Sequence, residues 1–122
     1  MAKLRSSIAL VLALSGCAGL APPSATPDPA LAEKVRGLMG DDVCSDRVAG
    51  ALAAYHLTAG GISRIDLSPV PPRRQDDYNL SSQRQAWVRQ PSRPGAIVVQ
   101  YDRGNCRIAQ VYARDGATLP AV

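Results

Sequence analysis

The sequence predicts an α+β domain: two short N-terminal helices packed on a small antiparallel sheet of three or four strands. Three observations predict it. Apolar residues recur at helical spacing from Leu31 to Tyr55, the period changes to alternation beyond Gly61, and two segments rich in β-branched and aromatic residues close the chain around Asp102-Arg103-Gly104-Asn105.

Asp28-Pro29 reads as a helix start, with Asp28 free to cap and Pro29 suited to a first turn in which its missing N–H costs nothing. Leu31, Val35, Leu38 and Met39 then fall on one stripe, and Gly40 can stop the helix. A second helix is expected from Asp41 or Asp42, with Val43, Val48, Leu52 and Tyr55 on its apolar stripe, Cys44 in its first turn and Gly60-Gly61 at its end. Two short helices joined so tightly pack as a corner or hairpin.

Ile65 and Leu67 alternate with Arg64, Asp66 and Ser68, which predicts a short strand from Ile62 to Leu67. The longest irregular stretch follows, Ser68 to Ser82, with Pro69, Pro71-Pro72, Arg73-Arg74 and Asp76-Asp77-Tyr78. Loops of this length in small domains are commonly functional or disordered. Gln83 to Gln90 is a weaker strand, closed by Pro91-Ser92-Arg93-Pro94-Gly95. The best hairpin joins Ala96–Tyr101 to Cys106–Ala113. A loop of two or four residues would oppose Tyr101 to Cys106, Val99 to Ile108 and Ile97 to Gln110, gathering Ile97, Val99, Tyr101, Cys106 and Ile108 on one face. A three-residue loop would instead put Cys106 with Val98 and Gln100. The first register is preferred because it collects more apolar area beside the cysteine.

The N-terminus carries a separate message. Lys3 and Arg5 precede the apolar run Ile8-Ala9-Leu10-Val11-Leu12-Ala13, and Leu14-Ser15-Gly16-Cys17 follows. The run is too short for a membrane span, which takes roughly 20 apolar residues. The order of charge, apolar run, small residues and cysteine resembles the signal peptides of bacterial lipoproteins, with Leu14-Ser15-Gly16-Cys17 as the lipobox. The resemblance implies removal of residues 1–16, a diacylglyceryl group on the Cys17 thiol, and attachment to a membrane through it. A signal cut without lipidation would leave Cys17 as an unpaired thiol in an oxidising compartment. In that class an Asp after the cysteine favours the inner membrane; Ala18 stands here, which implies the periplasmic face of the outer membrane. Residues 17–27 then form a lipidated, proline-rich tether, which at about 3 Å per residue would reach roughly 30 Å, and residues 28–122 form the folded domain.

With Cys17 lipidated, Cys44 and Cys106 are left to pair, as the periplasm permits. Closing a loop of roughly 60 residues contributes about 4 kcal/mol by chain entropy. That is a large share for a domain with one Trp and no Phe. A redox role has no support from any Cys-x-x-Cys spacing. Lipobox, two helices and a meander, with Met39-Gly40 ahead of the second helix, resemble in outline the small BamE-like outer-membrane lipoproteins. The cysteine pair is not part of that pattern, and a shared outline carries no function.

Function classes narrow by elimination. The single histidine, His56, is expected to be a surface residue at a helix end. There is no Gly-x-Ser-x-Gly elbow and no phosphate-cradling glycine run with lysine, and capping or turns account for Asp41-Asp42 and Asp76-Asp77. Neither enzyme activity nor a metal or cofactor is expected, and no small-molecule substrate is indicated. Nucleic acid is not an expected partner in that compartment.

Charge favours binding. The chain's formal net charge is +4, but Lys3 and Arg5 leave with the signal. From Arg64 onward the basic residues are all arginines: Arg64, Arg73, Arg74, Arg84, Arg89, Arg93, Arg103, Arg107 and Arg114. Guanidinium groups form bidentate bonds to planar oxyanions, although arginines paired with nearby Asp would simply be solvated. Trp87 is either the largest core side chain or an exposed anchor of the kind that dominates interfaces. The candidate binding residues are Arg73, Arg74, Tyr78, Arg84, Trp87 and Arg89. The function expected is that of a non-catalytic, membrane-anchored lipoprotein binding an envelope protein as an accessory or assembly subunit. The alternatives are direct attachment to peptidoglycan or lipopolysaccharide, or a small periplasmic enzyme inhibitor.

Overall fold

Asp28 and Pro29 open the first helix as expected. The Asp28 carboxylate accepts the Leu31 N–H at 2.8 Å, and Pro29 occupies the first turn. The computed structural model describes residues 21–70 and 82–122. Cys17, Arg73, Arg74 and Tyr78 lie outside the described residues. Helix α1 runs Pro29–Leu38 and α2 Ser45–Ala54, a short 3-10 turn covers Ala59–Gly61, and four strands follow: β1 Arg64–Pro69, β2 Gln83–Arg89, β3 Ala96–Asp102 and β4 Ile108–Arg114. Neighbouring strands are antiparallel in the order β1-β2-β3-β4. Among the described residues no helix is long and apolar enough to cross a membrane.

The α+β architecture stands, with its boundaries corrected where local hydrogen bonds compete with the helix. Asp42 Oδ1 accepts the Cys44 N–H at 2.8 Å, and Asp42 O accepts from Ser45 N at 3.0 Å. This turn delays α2 to Ser45 and leaves Val43, expected on the apolar stripe, 85% exposed. At the other end the left-handed backbone of His56 (φ 61°) stops the helix five residues before the expected glycines. Leu57 N then bonds Leu52 O at 3.2 Å, so the chain folds back and buries Leu57. His56 itself is exposed.

One face of the sheet carries the helices. Leu31, Val35 and Met39 of the α1 region meet Val48, Ala49 and Leu52 of α2 over Ile65, Ala86, Val88, Ile97, Val99 and Tyr101, all buried. Burying each larger side chain contributes about 1.5–3 kcal/mol. Ile97, Val99 and Tyr101 share this face, with Cys106 and Ile108 packed against it as expected. The strand register differs. Tyr101 opposes Ile108, but Gln100 opposes Gln110 and Val99 opposes Val111, so Ala109 is an extra residue in a β-bulge. The bulge reverses the alternation in β4 and turns Val111 toward the core. The loop is Arg103–Arg107, longer than expected, with Cys106 itself at φ 59° and its N–H on Asp102 O at 2.8 Å.

Cys44 and Cys106 are joined by a disulfide, with Cα atoms 5.0 Å apart. It ties the start of α2 to the β3–β4 loop. Beside it the buried Tyr101 hydroxyl donates to Asp42 Oδ2 at 3.0 Å. At the opposite end of the sheet, Gly95 (φ 72°) turns β2 toward β3, and a Cβ there would run into the backbone of Arg114, Asp115 and Ala117.

Residues 21–27 bear on the tether. Ala25 N donates to Gly50 O at 3.0 Å, and a side chain on Gly50 would meet Ser24 Oγ and Ala25 O at 3.0 and 3.1 Å. This part of the expected free tether lies along α2, which shortens the reach from Cys17.

Candidate functional site on the helix-free face of the sheet

Alternation along the strands points Asp66 and Ser68 of β1, Gln83, Gln85, Trp87 and Arg89 of β2, Val98 and Gln100 of β3, and Gln110, Tyr112 and Arg114 of β4 away from the helices. Such a face is usually polar and solvated. Here it has an aromatic centre.

Trp87 is half-buried, not a core residue. Its indole N–H donates to Ser68 Oγ at 3.1 Å, which fixes the ring across β1. The guanidinium carbons of Arg89 and Arg114 stand 5.7 and 5.8 Å from the ring centroid. Each cation over an indole contributes about 0.5–1 kcal/mol at an exposed site. Arg89 is held further by Gly95 O at 3.3 Å and by Asp66 Oδ2 at 3.6 Å, and Asp66 also accepts from Arg64 Nε at 3.0 Å. Arg114 pairs with no carboxylate among the described residues. Val98 lies in register between Trp87 and Tyr112 and is fully buried.

Toward the disulfide end the face is amide-rich. Gln110 donates to Gln100 Oε1 at 2.8 Å, Gln100 reaches Gln83 Oε1 at 3.5 Å, and Gln85 donates to the Tyr112 hydroxyl at 2.9 Å. Gln100 is nearly inaccessible, and these bonds satisfy it. The result is a pre-ordered surface of amides, one indole and two guanidinium groups, with a shallow depression between Asp66, Ser68, Gln85, Trp87 and Arg89. Chemically it offers a π surface for stacking or apolar contact, and cations suited to carboxylates or phosphates.

Arg84, Trp87 and Arg89 do not form one group. Arg84 shares the parity of the core residues Ala86 and Val88, so it points to the opposite face. There it lines a second depression with Asp41, Asp42, Val43, Ser82, Arg103 and Gly104. Arg114 takes its place beside Trp87. In the sequence Arg114 is one of many arginines of the back half with nothing to single it out, yet strict alternation in β2 already separates position 84 from 87 and 89. Pairing Arg114 with Trp87 needed the strand order and the β4 bulge.

No family model, no curated protein and no solved structure matches this chain. Among the described residues no three His, Cys, Asp or Glu side chains converge as a metal site.

Two groups at the disulfide end hold protons abnormally. Burial, then the hydrogen bond to the Asp42 carboxylate, pushes the Tyr101 phenol well above its ordinary range. The Gly104 N–H, then the Ser82 hydroxyl, hold the Asp102 carboxyl below the usual carboxylate value. The first interaction ties β3 to the turn before α2, and the second braces the β3–β4 loop.

Proposed function

We propose that the chain is a non-catalytic lipoprotein of the bacterial outer membrane, anchored at Cys17, and that it presents the Trp87 face to another envelope protein as an accessory or assembly subunit. The address comes from the lipobox. The observation that carries the contact is Trp87 between Arg89 and Arg114: an ordered aromatic flanked by cations, on the one broad face that the helices leave open. Interface hot spots are enriched in Trp, Tyr and Arg and depend on such pre-ordering. Arg73, Arg74 and Tyr78 remain in the proposal as a second contact region.

The test is a photo-crosslinking amino acid at Gln85 in the intact, exported protein, with Lys34 on the exposed side of α1 as the control position. The expected result is one envelope-protein adduct from position 85, none from 34, and loss of the adduct when Arg114→Glu is added. No adduct from 85, or the same adduct from both positions, would remove this face from the proposal.

A second reading, attachment to an anionic polymer, draws on the arginines that have no carboxylate among the described residues, Arg93, Arg103 and Arg107 among them. It predicts co-sedimentation with peptidoglycan or lipopolysaccharide that falls steeply between low and physiological salt. Absent or salt-insensitive co-sedimentation would dispose of it.

A further inference from the structure

We infer that the domain rests directly on the bilayer that anchors it, through Arg47 and Arg107, which engage the phosphates of anionic lipid head groups. The inference builds on the proposed lipidation of Cys17 and adds the orientation that follows from it.

The first observation is the docked leader. Ala21, Pro22 and Ser24 line one concavity with Arg47, Asn105 and Arg107. The Ala25–Gly50 hydrogen bond and the bare Cα of Gly50 hold the chain against α2 just after it. A glycine inside a helix costs about 1 kcal/mol relative to alanine, and here its missing side chain is what lets the leader approach. The second observation is length. Between Cys17 and Ala21 the backbone spans at most about 14 Å. A lipidated Cys17 at the membrane interface therefore brings the end of the domain that holds Ala21 into the head-group layer or just above it.

The third observation is charge. Arg47 and Arg107 have no carboxylate partner among the described residues, and the acids around them are engaged elsewhere. Asp46 bonds Arg36 at 3.3 Å. Asp102 accepts from Ser82, Gln83 and Gly104, and Asp42 accepts from Tyr101 and Cys44. Asp41 lies across the loop with Arg84 and Arg103. Two guanidinium groups without a carboxylate partner among the described residues flank the point where the anchor must leave, and guanidinium suits phosphate oxygens. A basic side chain at an anionic membrane surface shifts binding about fivefold. The same geometry places Trp87 four residues up β2 from Gln83, which pairs with Asp102 at the membrane end. The proposed partner face then stands roughly 13 Å above that end, beside the membrane rather than far from it.

The experiment uses the purified lipidated protein in vesicles of phosphatidylcholine alone and in vesicles with one-third phosphatidylglycerol, reading amide hydrogen exchange across residues 103–108. Slower exchange is expected in the anionic vesicles only. Arg47→Gln with Arg107→Gln should return it to the neutral-vesicle rate, as should a flexible insertion after Ala18. If intact mass shows the lipid on Cys17 and exchange is the same in both vesicles, the resting surface is wrong while the anchor stands. If the mass shows no lipid, the anchor reading fails and takes the inference with it.

Discussion

The hydroxyl of Tyr101 donates to the Asp42 carboxylate at 3.0 Å, joining the last inward side chain of β3 to the turn that starts α2. The same carboxylate accepts the Cys44 N–H. One acid thus ties together the strand, the helix start and one half of the disulfide. Tyr101→Phe leaves the ring in place and removes the bond. A hydrogen bond to a charged group contributes about 1.5–3 kcal/mol. Since Asp42 is only half-buried and keeps access to water, the expected loss is at the lower end. Chemical denaturation of native and variant protein measures it.

The phenol also sets an alkaline limit. Its folded-state pKa lies above the ordinary value of 10.0. The folded state then holds a proton that the unfolded chain releases, so stability is complete below about pH 10 and falls as pH rises beyond it. Stability curves at pH 9 and pH 11 should diverge in the native protein, and Tyr101→Phe should lessen the divergence. An equal loss in both proteins would contradict the assignment.

Asp102 acts in the opposite direction. Its carboxyl is held below the ordinary value by Gly104 N–H and Ser82. The stability that it contributes is present above pH 3.8, the ordinary value, and is lost as pH falls through the lower folded value. A carboxyl-carbon NMR titration should place its midpoint below the ordinary value of 3.8, and Ser82→Ala should move it upward.

The disulfide closes a sequence separation of 62 residues. By chain entropy it contributes about 4 kcal/mol, less any strain in the native state. Cys44→Ala with Cys106→Ala should lower the midpoint of thermal unfolding by ~15 °C or more in a domain of this size. A shift of only a degree or two would mean that the helices and sheet hold together without the cross-link.

Gly50→Ala separates helix propensity from leader docking. In an exposed helix the change would gain up to about 1 kcal/mol. Here the new methyl meets Ser24 and Ala25, so the expected gain is cancelled and proteolysis within residues 21–27 accelerates. A stabilised variant with unchanged proteolysis would show that the leader does not depend on that contact.

The sequence made some of this legible and hid the rest for identifiable reasons. Asp28, Pro29 and the 31, 35, 39 spacing give α1 directly, because capping and periodicity agree. The start of α2 was misplaced because Asp42 can either cap a helix or close a turn onto Cys44, and local residue types do not decide between them. The face of β3 was readable from alternation, whereas the register to β4 was not. A bulge at Ala109 and a left-handed Cys106 are tertiary outcomes, set by the disulfide and the core. Gly50 carries a legible signal, since a glycine inside a helical pattern costs about 1 kcal/mol relative to alanine and calls for a packing reason. The grouping of Arg84 with Trp87 overlooked the strand period that separates them.

The most direct measurement is the intact mass of the protein extracted without reduction from the membranes of the cells that make it. The expected product is a chain beginning at Cys17, carrying a diacylglyceryl group there and two hydrogens lighter for the Cys44–Cys106 bond. A chain that begins elsewhere, or an unmodified Cys17 thiol in the mature protein, would contradict it.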